Sequence, residues 1–276
     1  MKKLVALFLV LISTVSFAQK KEKIKGNREV LIKKFTVPSY QNIEVGEKFK
    51  IGLVKTTDTT RIEIETDDNL FDVIHFSVEN GTLKFNTSKD IVKKKRLRIT
   101  VFAPETLSNI KVFKKGKIFN EEPLQLNNLS IDASEHGKIE LNLDIKNDLN
   151  ISGTDKAEIK IEGTTKNLDA KLSESAEITG DLSTKNMNVQ LDDHAKLNLK
   201  GNAGEAKITL NNKSQIKASD FAISNLVLRA NDKSNAYINV KGNLSLRAIG
   251  NAEIYIYNNP KITLKAFKDN AIIYKK

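Results

Sequence analysis

The sequence predicts an all-β chain: a single-stranded parallel β-helix with coils of about 19–20 residues, preceded by an antiparallel strand region that covers the first coil. Three observations predict it. Worn copies of one phrase recur, reading IDASEHGKI at residues 131–139, SGTDKAEIKI at 152–161, AKLSESAEI at 170–178 and VQLDDHAKL at 189–197. Short runs of Ile, Val, Leu and Thr alternate with polar residues, which is the period of a half-buried strand, and there are only 4 prolines to interrupt them. A second mark travels at the same spacing: Asn128-Leu129, Asn167-Leu168, Asn186-Met187, Asn225-Leu226 and Asn243-Leu244 each set an asparagine before an apolar strand start. Asparagine tolerates the left-handed backbone conformation, so these positions are expected at turns.

The elements follow in chain order. Residues 1–18 read as a secretion signal, with Lys2 and Lys3, an apolar run from Leu4 to Ile12, and Ser16-Phe17-Ala18 placing small residues where signal peptidase cuts, between Ala18 and Gln19. The apolar run is too short to span a bilayer as a helix. Residues 19–34 form the leader of the mature chain. Residues 35–105 do not share the repeat period; they alternate cleanly, and Asn80-Gly81 between two such runs predicts a hairpin turn. Residues 106–276 carry the coils. A unit of this length with short strands and no helix cannot bury its apolar face alone, so copies must stack, each strand pairing with its equivalent in the next coil. Leu149, Ile151, Ile159 and Ile161 should point inward, and the recurrent small residues (Gly137, Ala157, Ala176, Ala195, Ser214) should allow tight turns. Eight or nine coils at about 4.8 Å each make a rod roughly 40 Å long.

Composition narrows the chemistry. Cysteine is absent, so no lipid-modified cysteine ends the signal and no disulfide supports the fold. Without Lys2 and Lys3, 43 of the 45 basic residues remain against 34 acidic ones, a net charge of +9. Only Arg28, Arg61, Arg96, Arg98, Arg229 and Arg247 are arginines, the side chain favoured for bidentate phosphate recognition, which argues against nucleic acid. The positive balance fits solvated lysines or contact with anionic polymers or headgroups of the envelope.

The segments IETDDNLFDVIHFSVENGTLKF, LNISGTDKAEIKIEG and AIGNAEIYIYNNPKITLKAF, in that order, resemble the exported bacterial family called putative auto-transporter adhesin, head GIN domain. The resemblance covers residues 35–276 as one continuous domain. It implies a β-helix shaped like pectin lyases but without their catalytic residues, and an adhesive role. The family's Gly-Ser-Gly loops are replaced here by GTDKA, SESA, DDHA and NNKS. The family name suggests self-export, but no run of long alternating barrel strands follows the rod.

Stacking converts sequence columns into spatial rows. Glu135, Asp155, Glu174 and Asp193, continued by Asn212 and Asp232, would lie roughly 5 Å apart, a separation suited to a row of divalent cations or to a glycosidase carboxylate pair. Any acidic column in a β-helix has that spacing, and Lys156, Lys213 and Lys233 offer neutralising partners, so solvated turn carboxylates are the expectation and a metal site the alternative. His136 and His194 share a repeat position three coils apart, roughly 14 Å, too far to share an ion. His75 reads as a packed strand residue. Arg229, Arg247 and Lys265 each follow an inward leucine and so point outward; the row either grips an anionic chain or splays into water. Lys93, Lys94, Lys95, Arg96 and Arg98 form a second basic cluster, open to the same two readings. Tyr255 and Tyr257 alternate with Ile254 and Ile256 and face outward, where they would stack on sugars or cap the last coil with Phe267 and Tyr274.

No triad-like arrangement, phosphate-binding glycine loop or cofactor motif stands in the chain. The expectation is a non-enzymatic, exported binding scaffold, periplasmic, outer-membrane associated or secreted, with no cofactor. Its expected partner is an anionic polysaccharide, lipid headgroups or another envelope protein. The alternatives are a polysaccharide-cleaving enzyme of pectin-lyase shape and a structural or assembly component of the envelope.

Overall fold

Alternation decides which way each side chain points, and register decides what it meets. In the strand Lys138–Gly153, Ile139, Leu141, Leu143 and Ile145 are buried while the residues between them face outward. This strand pairs in parallel with Glu158–Leu172, and the pairing repeats through Glu177–Leu191, Lys196–Leu210, Gln215–Ala230 and Asn235–Ala248. Ile139 therefore lies beside Ile159, then Ile178, Leu197 and Ile216; Leu149 lies beside Leu168, then Met187 and Ala206. Leu149, Ile151, Ile159 and Ile161 are all buried, as their alternation predicts. Each Leu or Ile withdrawn from water in these columns contributes roughly 1.5–3 kcal/mol. The result is the parallel β-solenoid that the repeat predicts, described here by a computed structural model covering residues 21–57 and 60–276. The signal segment and the cleavage position at Ala18 and Gln19 lie outside the described residues. Among the described residues, no helix is long and apolar enough to cross a membrane.

The corner of each coil is a four-residue turn. Gly137 N–H donates to the Ser134 carbonyl, Ala157 to Thr154, Ala176 to Ser173 and Ala195 to Asp192. The second residue of each turn has positive φ: Lys114, Glu135, Asp155, Glu174, Asp193, Asn212 and Asp232 lie between 54° and 60°. The small residue that closes the turn points into the core. A Cβ on Gly137 would meet the Val112 carbonyl oxygen at 2.6 Å, and the equivalent Ala157, Ala176 and Ala195 are completely buried. The asparagines at strand starts are not the left-handed residues. They stand in extended strand or beside it and form an amide ladder, Asn186 Nδ2 donating to Asn167 Oδ1 at 2.8 Å and Asn243 Nδ2 to Asn225 Oδ1 at 2.8 Å. Both roles suit asparagine; register along the rod selected the second.

Parallel stacking begins before residue 106. Asn42–Val45 pairs with Asn109–Val112, and Lys50–Thr56 with Lys117–Asn120, so residues 42–53 make a coil of their own. The antiparallel strands are inserted between this coil and the next, except Val30–Thr36, which precedes the coil. Val30–Thr36 pairs with Arg61–Asp67, which pairs with Leu97–Pro104, and Ile74–Glu79 with Thr82–Thr87 through a turn at Asn80 and Gly81, both of positive φ. The insertion covers the first coil strand by strand: Thr82–Thr87 lies on Asn42–Val45, and Leu97–Pro104 on Lys50–Thr56. Its joint is a fully buried carboxylate, Asp67, which accepts from Lys95 N–H at 2.9 Å and Arg96 N–H at 3.3 Å.

Candidate functional site

One outer face of the rod changes character along its length. Toward the middle coils it carries amides and acids: Asp148, Asn150, Asn167, Asp169, Asn186, Asn188 and Glu205 line a shallow groove of about 430 Å³. These groups largely satisfy one another, Asn167 donating to Asp148 at 2.7 Å, Asn188 to Asp169 at 2.6 Å and Asn225 to Glu205 at 2.7 Å. Val227 ends this groove and also lines the next, of about 650 Å³, where Asn231, Ser245, Arg229, Arg247 and Lys265 converge. Arg229 and Arg247 are in-register neighbours on adjacent strands, raised outward by the buried Leu228 and Leu246. Lys265 departs from the register. Pairing passes from Leu246–Leu264 directly to Arg247–Ala266, so Lys265 is the extra residue of a bulge that still turns its side chain into the same groove.

These three cations share a groove whose lining holds no carboxylate. Several lysines elsewhere reach carboxylates, Lys117 meeting Glu140 at 2.6 Å, Lys138 meeting Glu158 at 2.7 Å and Lys114 meeting Glu47 at 3.0 Å. One member of the second basic stretch is also paired: Arg96 lies 3.5 Å from Glu65. Among the described residues, Arg229, Arg247 and Lys265 form no ion pair or side-chain hydrogen bond. Like charges on neighbouring strands repel mildly, and nothing in the fold offsets that repulsion here.

The acidic column is explained by the corners. Asp155 Oδ2 accepts the N–H of Glu135, one coil earlier, at 2.9 Å; Asp232 does the same for Asn212 at 3.2 Å and Asp269 for Gly250 at 3.1 Å. That backbone bond, with a second from the Thr154 hydroxyl, holds the Asp155 carboxyl below the usual aspartate range. Asp193 accepts from the Asn212 amide at 2.9 Å. Glu135, Asp155, Glu174 and Asp193 are thus a left-handed turn position repeated by the solenoid, and among the described residues no three His, Asp or Glu side chains gather as a metal site. His136 and His194 follow the same corners.

Tyr255 lies between two other tyrosines. Its ring stacks on Tyr237 at 4.4 Å and on Tyr274 at 4.6 Å, nearly parallel to both, and its hydroxyl donates to Glu253 at 2.7 Å, a bond that raises its pKa above the ordinary tyrosine range. Both faces of that ring are occupied. Tyr257 stands in a different outward column, in register with Asn239, and has no ring partner among the described residues. The stacked set is Tyr237, Tyr255 and Tyr274, whose spacings of 18 and 19 residues are the coil length; alternation within a single strand pointed instead to Tyr255 with Tyr257.

The family model for the putative auto-transporter adhesin, head GIN domain, matches residues 39–181 and again 148–260. The chain belongs to this family. Solved structures agree with the architecture: a putative adhesin from Parabacteroides distasonis ATCC 8503 is 16% identical over 92% of this chain and 100% of its own, with a TM-score of 0.70. A putative adhesin from Parabacteroides merdae ATCC 43184 is 19% identical over 92% and 99%, with a TM-score of 0.65. A putative lipid binding protein from Parabacteroides distasonis ATCC 8503 is 18% identical over 92% and 100%, also at 0.65. No curated protein matches the chain. At these identities the likeness is one of fold.

Proposed function

We propose that this head GIN domain chain is a non-catalytic binding scaffold of the cell envelope that holds an acidic polysaccharide along its outer face. The observation that carries the reading is the convergence of Arg229, Arg247 and Lys265, all without carboxylate partners, on one groove. Guanidinium groups match carboxylates with paired N–H donors, and a row of them spaced by the coil rise of about 4.8 Å suits a polymer with repeated negative charge better than a single small anion. The adjoining groove of amides and acids offers donors and acceptors for sugar hydroxyls, and Val227 makes the two continuous. The adhesin names of the family and of the solved relatives are consistent with surface binding outside the cytoplasm.

The test is a binding titration of the mature chain with alginate, a polyuronate, and with dextran, an uncharged glucan, at low and high salt. Alginate should bind and dextran should not. The affinity should fall as ions screen the groove, and the triple substitution R229Q/R247Q/K265Q should abolish it. Equal binding of both polymers, or full alginate binding by the triple variant, would overturn the proposal. Release of unsaturated sugars during the titration would make the chain a lyase instead.

A further inference from the structure

The two ends of the rod are finished differently. The antiparallel insertion covers both strands of the first coil. At the other end, Lys261–Phe267 and Ile272–Lys275 pair only with the preceding coil among the described residues. Ile262, Leu264 and Phe267 continue the inward columns of Leu244, Leu246 and Ala248, each of which is buried. Among the described residues nothing stacks upon them, and they are 43%, 53% and 45% exposed. Lys261, Lys265, Lys268, Lys275 and Lys276 stand on this same coil, against the single acid Asp269. Lys275 occupies the place below Ile256, so a core column ends in an ammonium group. Tyr274 closes the tyrosine ladder here, with the Lys276 ammonium 5.9 Å from its ring centre.

We propose that this end of the solenoid docks on an anionic lipid surface, a contact separate from the groove of Arg229 and Arg247. Apolar side chains set among lysines, with a tyrosine at the margin, are the composition that enters the headgroup boundary. The aliphatic and aromatic groups reach the acyl region, the ammonium groups meet phosphates, and the phenol stays at the polar level. Charge selects this occupant over a second copy of the chain. Lys265 turns into the groove, so two such ends brought together would set the other four lysines against four, and lysines on an open edge strand discourage strand addition by another protein. An anionic bilayer neutralises those four at once.

The experiment is cosedimentation of the mature chain with vesicles of phosphatidylcholine containing phosphatidylglycerol, and with phosphatidylcholine alone. Binding is expected to the anionic vesicles and to weaken with salt. K261Q/K268Q/K275Q should bind on the order of a hundredfold more weakly, at roughly fivefold per lysine near an anionic surface. L264S/F267S should lose about tenfold while melting as the parent does. R229Q/R247Q should leave vesicle binding intact while losing alginate, so failure of either site is read separately. Equal partition onto both vesicle types, or undiminished binding by the lysine variant, overturns the proposal. So does light scattering that finds a dimer which L264S/F267S converts to a monomer, since the end would then join two copies.

Discussion

Exchanging Ser214 for alanine should make the protein more stable, which is unusual for a substitution at a fully buried position. Ser214 and Ser234 occupy the turn-closing column, next to Ala195 and Ala252 in the coils on either side, and both are 0% exposed. Among the described residues their hydroxyl oxygens have no hydrogen-bond partner. A buried hydroxyl that exchanges water for nothing costs about 1–3 kcal/mol, while the gap left by removing one oxygen from a close-packed column returns a fraction of that. Ser214→Ala should therefore gain about 1 kcal/mol, or about 2–4 °C in melting temperature for a chain of this size. The reverse exchange, Ala195→Ser, should lose a similar amount, because its hydroxyl would enter the same column. Equilibrium urea unfolding followed by far-ultraviolet circular dichroism reads both. A lower midpoint for Ser214→Ala, or no cost for Ala195→Ser, would show that the column supplies a partner and refute the reasoning.

Three further outcomes follow from particular contacts. Asp67→Ala removes the acceptor of two part-buried bonds, from the Lys95 and Arg96 N–H groups, and should cost about 1 kcal/mol in urea unfolding, whereas Asp67→Asn, which keeps an acceptor oxygen, should cost less. Gly163→Ala should destabilise by at least about 2 kcal/mol, since φ there is +127° and a Cβ would lie 1.9 Å from the Leu143 carbonyl oxygen. The Asp155 carboxyl is held below the ordinary value of about 3.9, so its contribution is complete above that pH and is lost as pH falls through the folded value. Wild type and Asp155→Asn should accordingly differ in melting temperature near neutrality and converge in strong acid.

The coil was legible because two simple constraints repeat with it: alternation sets the inward residues, and one position per turn must be small enough to sit against the coil before it. The first coil escaped notice for a physical reason. Ile43 and Ile110 are spatial neighbours, but the chain between them makes the antiparallel cover, which interrupts the period while leaving the phrase NIEVGEKFKIGL intact beside NIKVFKKGKIFN. The meaning of the acidic column was not legible, since aspartate is equally at home as a metal ligand, a solvated turn residue or a cap on the N–H of the coil before. Only coordinates show Asp155 reaching Glu135. The basic row was readable as outward-facing from Leu228 and Leu246. Sequence could not reveal that its members lack counter-ions or that Lys265 reaches the groove through a bulge. The open end was also hidden, because Leu264 looks as inward as Leu246 until one asks what lies on top of it.

The most direct test of the binding account uses the scarcity of arginine. The chain has Arg28, Arg61, Arg96, Arg98, Arg229 and Arg247, so nitrogen-15 spectra of the side-chain Nε–H groups resolve into few signals, each assignable by substitution. Titrating alginate should shift Arg229 and Arg247 together and leave the other four in place. If those two stay fixed while the polymer binds, or if Arg96 and Arg98 move instead, the groove is not where the anionic chain lies.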